Sequence, residues 1–234
     1  MTSTPIPLVL AAALASTLAL RAAGAAGQGG PPRTGPCVTT GIPSPATTYI
    51  YSYTEGGVTS TITRRWLEVS ATVSRQQMTN VHPKQGTTSV LTVAAQHVVD
   101  DLMVVDQFKS SGNLPGGGAF TSTTVHRPGL VDGPAFRVCQ GRHWTIPQTA
   151  VLTTTTPGGT ASNSISGTGD VIAVNAPMKV PAGTFETVNY REDRQTAYGP
   201  ITIVTWRAIK EGVNVRWEYT MPKTSAVEVL VSAK

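Results

Sequence analysis

Val180-Pro-Ala-Gly-Thr-Phe-Glu-Thr-Val188, followed by Thr205-Trp-Arg207 and then Gly212-Val-Asn-Val-Arg-Trp-Glu-Tyr219, reads as successive β-strands joined by defined turns. From Gly212 to Thr220 the alternation is strict. Val213, Val215, Trp217 and Tyr219 fall on one face, and Asn214, Arg216, Glu218 and Thr220 on the other, as a half-buried strand requires. In the first stretch Pro181 is pre-set for the second position of a β-turn, Gly183 accepts a positive φ, and Phe185 re-enters the core. Working outward, the C-terminal half becomes a meander. Its strands are Thr149–Thr156, Thr160–Asn175, Thr184–Glu192, Ile201–Ile209, Val213–Thr220 and Ala226–Ser232, with turns at Pro157-Gly-Gly159 and Val180-Pro-Ala-Gly183. Strands joined by short turns pair antiparallel.

The N-terminal half has the same texture of Thr, Val and Tyr punctuated by Gly and Pro. Thr47–Glu55 places Tyr49, Tyr51 and Tyr53 on one face. Glu55-Gly-Gly57 then turns, and Val58–Val69 returns with Ile62 and Trp66. Further strands are expected at Ser70–Asn80 and Thr88–Gln96. The segment Ala94–Phe108 is ambiguous: Ala95, Val98, Val99, Leu102, Met103 and Val105 make a helical stripe, whereas Asp100-Asp101 suits a hairpin turn, and the Thr-rich context favours the hairpin. Asn113-Leu-Pro-Gly-Gly-Gly118 reads as a loop, and His126–Gly141, with Pro128-Gly129 and Asp132-Gly-Pro134, as irregular chain over the surface. The expected class is all-β, with little helix. A sheet of this many strands must curl, into a barrel or half-barrel.

The first residues carry an address. Leu8–Leu20 is an apolar run shorter than the roughly 20 residues of a bilayer span but suited to a signal-peptide core. Ala23-Gly-Ala25 and Gly24-Ala-Ala26 supply small residues at the spacing of a cleavage site, which marks 1–26 as a leader. An uncleaved anchor is the alternative, since no Lys or Arg precedes the run and Arg21 follows it. Residues 27–46, rich in Gly and Pro, read as a tether without regular structure, and 47–234 as a single β domain. The expected location is secreted or periplasmic, with membrane contact only through a retained leader. In such a compartment the even pair Cys37 and Cys139 is expected to form a disulfide that pins the tether to the body.

The chain has 18 Lys+Arg against 13 Asp+Glu. Its basic residues are scattered singly apart from Arg64-Arg65, which argues against a nucleic-acid face. The C-terminal half resembles a loose group of exported bacterial β-rich domains of unknown function. The residues that carry the likeness are Gly141-Arg-His-Trp144, Gly167-Thr-Gly169 with Val171, Val180-Pro-Ala-Gly-Thr-Phe185, Trp206, and Gly212-Val213. The resemblance implies a curved antiparallel sheet in the cell envelope and no mechanism.

Chemistry is harder to find. His82, His97, His126 and His143 are isolated, with no metal-binding spacing, although a cluster assembled from distant strands stays open. The acid pairs Asp100-Asp101 and Glu192-Asp193 give little support for acid–base work, since neighbours in a strand point to opposite faces and neighbours in a turn are solvated, and turn chemistry explains both at least as well. No nucleophile elbow or phosphate loop is present, no catalytic residue and no cofactor are expected, and an enzyme ranks third among the readings. The leading one takes Tyr49, Tyr51, Tyr53, Trp66, Trp217 and Tyr219 as lining a concave face that holds a lipid or other apolar molecule. The same rings could simply fill the core. The alternative function is an assembly module that pairs with an envelope protein through exposed sheet edges.

Overall fold

A computed structural model describes residues 35–116, 118–155 and 159–234. The leader, the first part of the tether and Pro157-Gly158 of one expected turn lie outside them. In chain order the strands are β1 (Cys37–Thr39), β2 (Thr48–Glu55), β3 (Val58–Val69), β4 (Val73–His82), β5 (Gly86–Val99), β6 (Leu102–Asn113) and β7 (Ala119–Pro134). They continue with β8 (Arg137–Cys139), β9 (His143–Thr155), β10 (Gly159–Val180), β11 (Gly183–Thr196), β12 (Gly199–Ala208), β13 (Asn214–Met221) and β14 (Thr224–Ala233). Twelve of them form one closed antiparallel barrel, in the order β10-β11-β12-β13-β14-β2-β3-β4-β5-β6-β7-β9, with β9 returning to β10. The remaining two, β1 and β8, form a separate short pair.

Alternation along each strand decides what enters the barrel. On β13, Val213, at its entry, Val215 and Trp217 are buried while Arg216 and Glu218 face out and pair with each other. On β12, Ile201, Ile203, Thr205 and Arg207 are buried, and Trp206 lies outside under the Arg216 guanidinium at 5.6 Å. Burying one side chain such as Val215 or Leu230 contributes roughly 1.5–3 kcal/mol relative to exposure. Three apolar clusters divide the interior, centred on Met103 and Val188, on Val215 and Leu230, and on Ile203 and Trp217. The outer wall carries mid-strand ion pairs, Arg191–Asp193 and Arg216–Glu218, where a lipid-facing barrel would need an apolar band.

Asp100 and Asp101 both have positive φ, 51° and 61°, as the two-residue hairpin turn of this hand demands. The Ala94–Phe108 segment is therefore a hairpin. Register shifts at seven of the strand pairings add residues to one strand and bend the sheet toward closure.

Two expectations need correction. His126–Gly141 is not irregular: β7 runs on to Pro134 and β8 follows. The Pro128-Gly129 and Gly133-Pro134 signals fall at two bulges: the ladder steps from Gln107↔Val125 to Val105↔Leu130, which leaves residues 126–129 opposite Asp106 alone, and from Val104↔Val131 to Leu102↔Pro134, which leaves Asp132 and Gly133 opposite Met103. A bulge tolerates Pro because the ladder is interrupted there. The stretch expected to stay irregular until Thr47 contains β1. Thr40 N–H donates to Phe136 O (2.7 Å) and Gly41 N–H to Ile209 O (2.6 Å), so this strap is tied across one end of the barrel. Gly212 makes the fit possible: its φ is +68°, and a Cβ there would sit 2.1 Å from Gly41 O. Cys37 and Cys139 face each other in the β1–β8 register and are disulfide-bonded, 102 residues apart in sequence.

Candidate ligand site in the barrel lumen

β3 sends Arg64 and Trp66 to the same inner face, two positions apart, with Ser60 and Ile62 in the same row. Across the lumen β11 does the same with Val188, Tyr190, Glu192 and Arg194. Between these walls lies a cavity of about 80 Å³. Tyr51, Arg64 and Trp66 line one side. Tyr190, Glu192 and Arg194 line the other, with Asp132, Thr205, Arg207, Asn214 and Trp217 around them. Thr40, Gly41 and Pro43 of the strap close one end. The volume falls well below the roughly 300–1,000 Å³ of drug-sized sites. At about 10–15 Å³ per water it has room for several waters or a molecule of a few heavy atoms.

The charges in this space are ordered by contact. Arg64 donates to Glu228 (2.6 Å), with side chains only 4% and 2% exposed, and its guanidinium lies 5.1 Å from the Tyr51 ring centre. One nitrogen of Arg194, Nη2, donates to both Glu192 and Asp132, each at 2.8 Å. Arg207 donates to the carbonyls of Pro134 and Ala135 and to the Tyr190 hydroxyl. Buried charges are costly unless paired or fully hydrogen-bonded: Arg64 and Arg194 meet carboxylates, and Arg207 is held by neutral acceptors.

Pairing leaves donors over. Arg64 Nε, Arg194 Nε and Trp66 Nε1 are buried and have no hydrogen-bond partner within the protein; nor does Gln76 Nε2, opposite Trp66 on β4. Leaving such a group unmet costs about 1–3 kcal/mol each, and more for charged groups. Burial pushes the Glu192 carboxyl up from its ordinary range, against the pull of Arg194, and does the same to Glu228 against Arg64. His126, enclosed nearby with its ring edge-on to Phe108, is held down to about 4 by burial and then by Arg194.

The six aromatic residues singled out in the sequence do not share one site. Tyr51, Trp66 and Trp217 line the cavity. Tyr49 is 3% exposed within an apolar cluster, and Tyr219 stacks on Trp217 at 5.6 Å. Tyr53 donates to Glu55 at 2.9 Å and borders a second, separate hollow with His82 and Lys84. Sequence reasoning passed over Arg64, Asp132, Glu192, Arg194, Arg207 and Glu228 as members of a site. The signal was parity, clearest for Glu228 between Ala226 and Leu230 and for Asp132 between Leu130 and Pro134, where the strand neighbours two residues away are buried. Of the two explanations of Glu192-Asp193, the turn does not hold: both lie within β11, with Glu192 inside and Asp193 paired outside with Arg191. Among the described residues no group of three or more His, Cys, Asp or Glu is gathered as a metal site.

The geometry thus defines a twelve-stranded closed barrel with a charged lumen and a strap across one end. No family model matches the chain, and no curated protein does. Among solved structures it is similar to a "putative lipoprotein" from Parabacteroides distasonis ATCC 8503, with a TM-score of 0.50 and 12% sequence identity over 84% of this chain and 99% of that one. At that identity the likeness concerns the fold.

Proposed function

We propose that this chain is an extracytoplasmic envelope protein whose barrel lumen binds a small, polar, hydrogen-bond-accepting molecule. The carrying observation is the charged and polar lining of the cavity, with Arg64, Asp132, Glu192, Arg194 and Arg207 around a space with room for a few heavy atoms, and with buried N–H groups on Arg64, Trp66 and Arg194 that lack protein partners. The Cys37–Cys139 disulfide supports an oxidising compartment, as do the leader-like N-terminus and the lipoprotein name of the similar structure. A polar occupant suits the walls better than the apolar one expected from the aromatic residues: the cavity is small for an acyl chain, and its lining is held by arginines and carboxylates. Partner binding through sheet edges has little to work with, because every barrel strand is paired on both sides.

Native mass spectrometry of protein purified from an exporting host, followed by denaturing extraction, tests this. A stoichiometric polar adduct supports the reading. A lipid-sized adduct restores the apolar one, and bare protein whose melting temperature no polar small molecule raises refutes both.

A further inference from the structure

We infer that the strap is a redox-latched gate: the Cys37–Cys139 disulfide holds Thr40–Pro43 over one end of the lumen, and a dithiol reductant that opens the bond frees the strap and admits solutes to the cavity. The latch belongs to the end wall and goes beyond the lumen-binding reading, since it does not depend on what the cavity holds.

The strap has a hinge, a plug and a latch. The hinge is where β2 begins, with Thr48 N–H donating to Lys234 O and Lys234 N–H to Thr48 O. In the plug, Thr40 and Pro43 are buried and line the cavity together with Gly41, while Ile42 between them is 53% exposed. Two backbone hydrogen bonds seat it, from Thr40 to Phe136 O and from Gly41 to Ile209 O. The latch lies beyond, where β1 pairs with β8 alone, over three residues, and takes no part in the barrel sheet. Val38 adds a partly buried apolar contact. So short a pair opens locally far more readily than the core strands do, and the covalent link is what keeps it shut.

That link is placed where a reductant can reach it. Cys37 is exposed whereas Cys139 is 3% exposed, so an incoming thiolate meets Cys37 Sγ. Its attack forms a mixed disulfide with Cys37 and expels Cys139 as a thiolate, which takes up a proton. The second thiol of the reductant then attacks its own sulfur in the mixed disulfide, and Cys37 leaves. Two electrons have passed from the dithiol, now a disulfide, to the protein, now with both thiols free. Arg137 Nη2 lies 3.7 Å from Cys37 Sγ, and Asp101 anchors the other branch of the guanidinium at 3.2 Å. A cation beside the sulfur stabilises the thiolate that must leave in the second step. Exposed disulfides are the labile and regulatory ones, and a purely structural staple needs neither the exposure nor the arginine.

The test compares the full exported chain before and after treatment with dithiothreitol, with thiol counting to confirm that Cys37 and Cys139 are both free. Amide hydrogen exchange at Thr40 and Gly41 should quicken about tenfold or more, while β12 and β13 stay protected. Quenching of tryptophan fluorescence by acrylamide should rise, and Trp217→Phe, which removes a ring that lines the cavity, should take away part of that rise. Arg137→Gln should need several-fold more dithiothreitol for half reduction. Unchanged exchange and quenching after full reduction overturn the gate and leave the lumen-binding reading standing. Collapse of the far-UV circular dichroism on reduction overturns it as well, and makes the disulfide a staple of the whole barrel. Equal reduction of Arg137→Gln and the parent overturns the built-in lability and leaves a passive cross-link.

Discussion

Replacing Glu228 by Ala should be among the most damaging single changes in the barrel, and the structure says how it should fail. Arg64 on β3 reaches across β2 to Glu228 on β14, over the Tyr51 ring, at the seam where the last strand meets the second. With 4% and 2% exposure, neither partner can recover water if the other is removed. Breaking a buried pair from one side costs about 3–5 kcal/mol, because a bare charge remains inside. Against a typical total of roughly 5–15 kcal/mol, that is a large share. The double variant Arg64→Met with Glu228→Leu removes both charges, and should cost far less than the sum of the two single changes, with a coupling of about 2 kcal/mol or more. Urea unfolding followed by tryptophan fluorescence gives each value, provided the slopes stay equal. A Glu228→Ala cost below about 1 kcal/mol, or single costs that simply add, would refute the account of the seam.

Three other outcomes are expected. Reducing the Cys37–Cys139 disulfide opens a loop spanning 102 residues; the chain-entropy treatment puts its value near 4–5 kcal/mol, so the urea midpoint should fall clearly, and no fall would mean the strap is held without it. Gly212→Ala should loosen the strap by more than 1 kcal/mol, since the residue has a positive φ and its Cβ would collide with Gly41 O; faster proteolysis between residues 35 and 45 would report it. On acidification His126, held down to about 4 in the fold, stays neutral while the unfolded chain protonates near 6.5, so its contribution is whole above 6.5 and fades as pH falls toward 4. Glu192 and Glu228, both raised, work in reverse: they contribute below about 4.5 and lose that contribution as pH rises through their folded values. His126→Gln should therefore become relatively more stable than the parent between pH 6.5 and 4, measured by urea midpoints, and parallel curves would contradict the assignment.

How much of this could be read beforehand follows from what each residue obeys locally. The strand Val213–Thr220, the turn at Pro181 and the Asp100-Asp101 hairpin are governed by alternation and turn chemistry, and they are as read. The bulge at residues 126–129 was not, because a Pro-Gly pair signals an interruption of pairing in a loop and inside a ladder alike. Arg64 was visible only as half of a basic pair. That it lies inside while Arg65 reaches Pro45 outside depends on the parity of β3, and its partner lies 164 residues along the chain. A site built from side chains that meet only after the sheet closes leaves single residues, and no motif, in the sequence.

Closure also sets the order of assembly. The pairing Ala226↔Glu55 joins the final hairpin to the first, so the sheet acquires its last row of hydrogen bonds only when chain ends some 170 residues apart have met. Contacts this distant make folding slow, and until they form β2 and β14 each offer a free edge to any other extended chain. The finished molecule resists edge-to-edge aggregation for the same reason that its unfinished form invites it, and a chain truncated before Thr224 would keep that exposed state permanently.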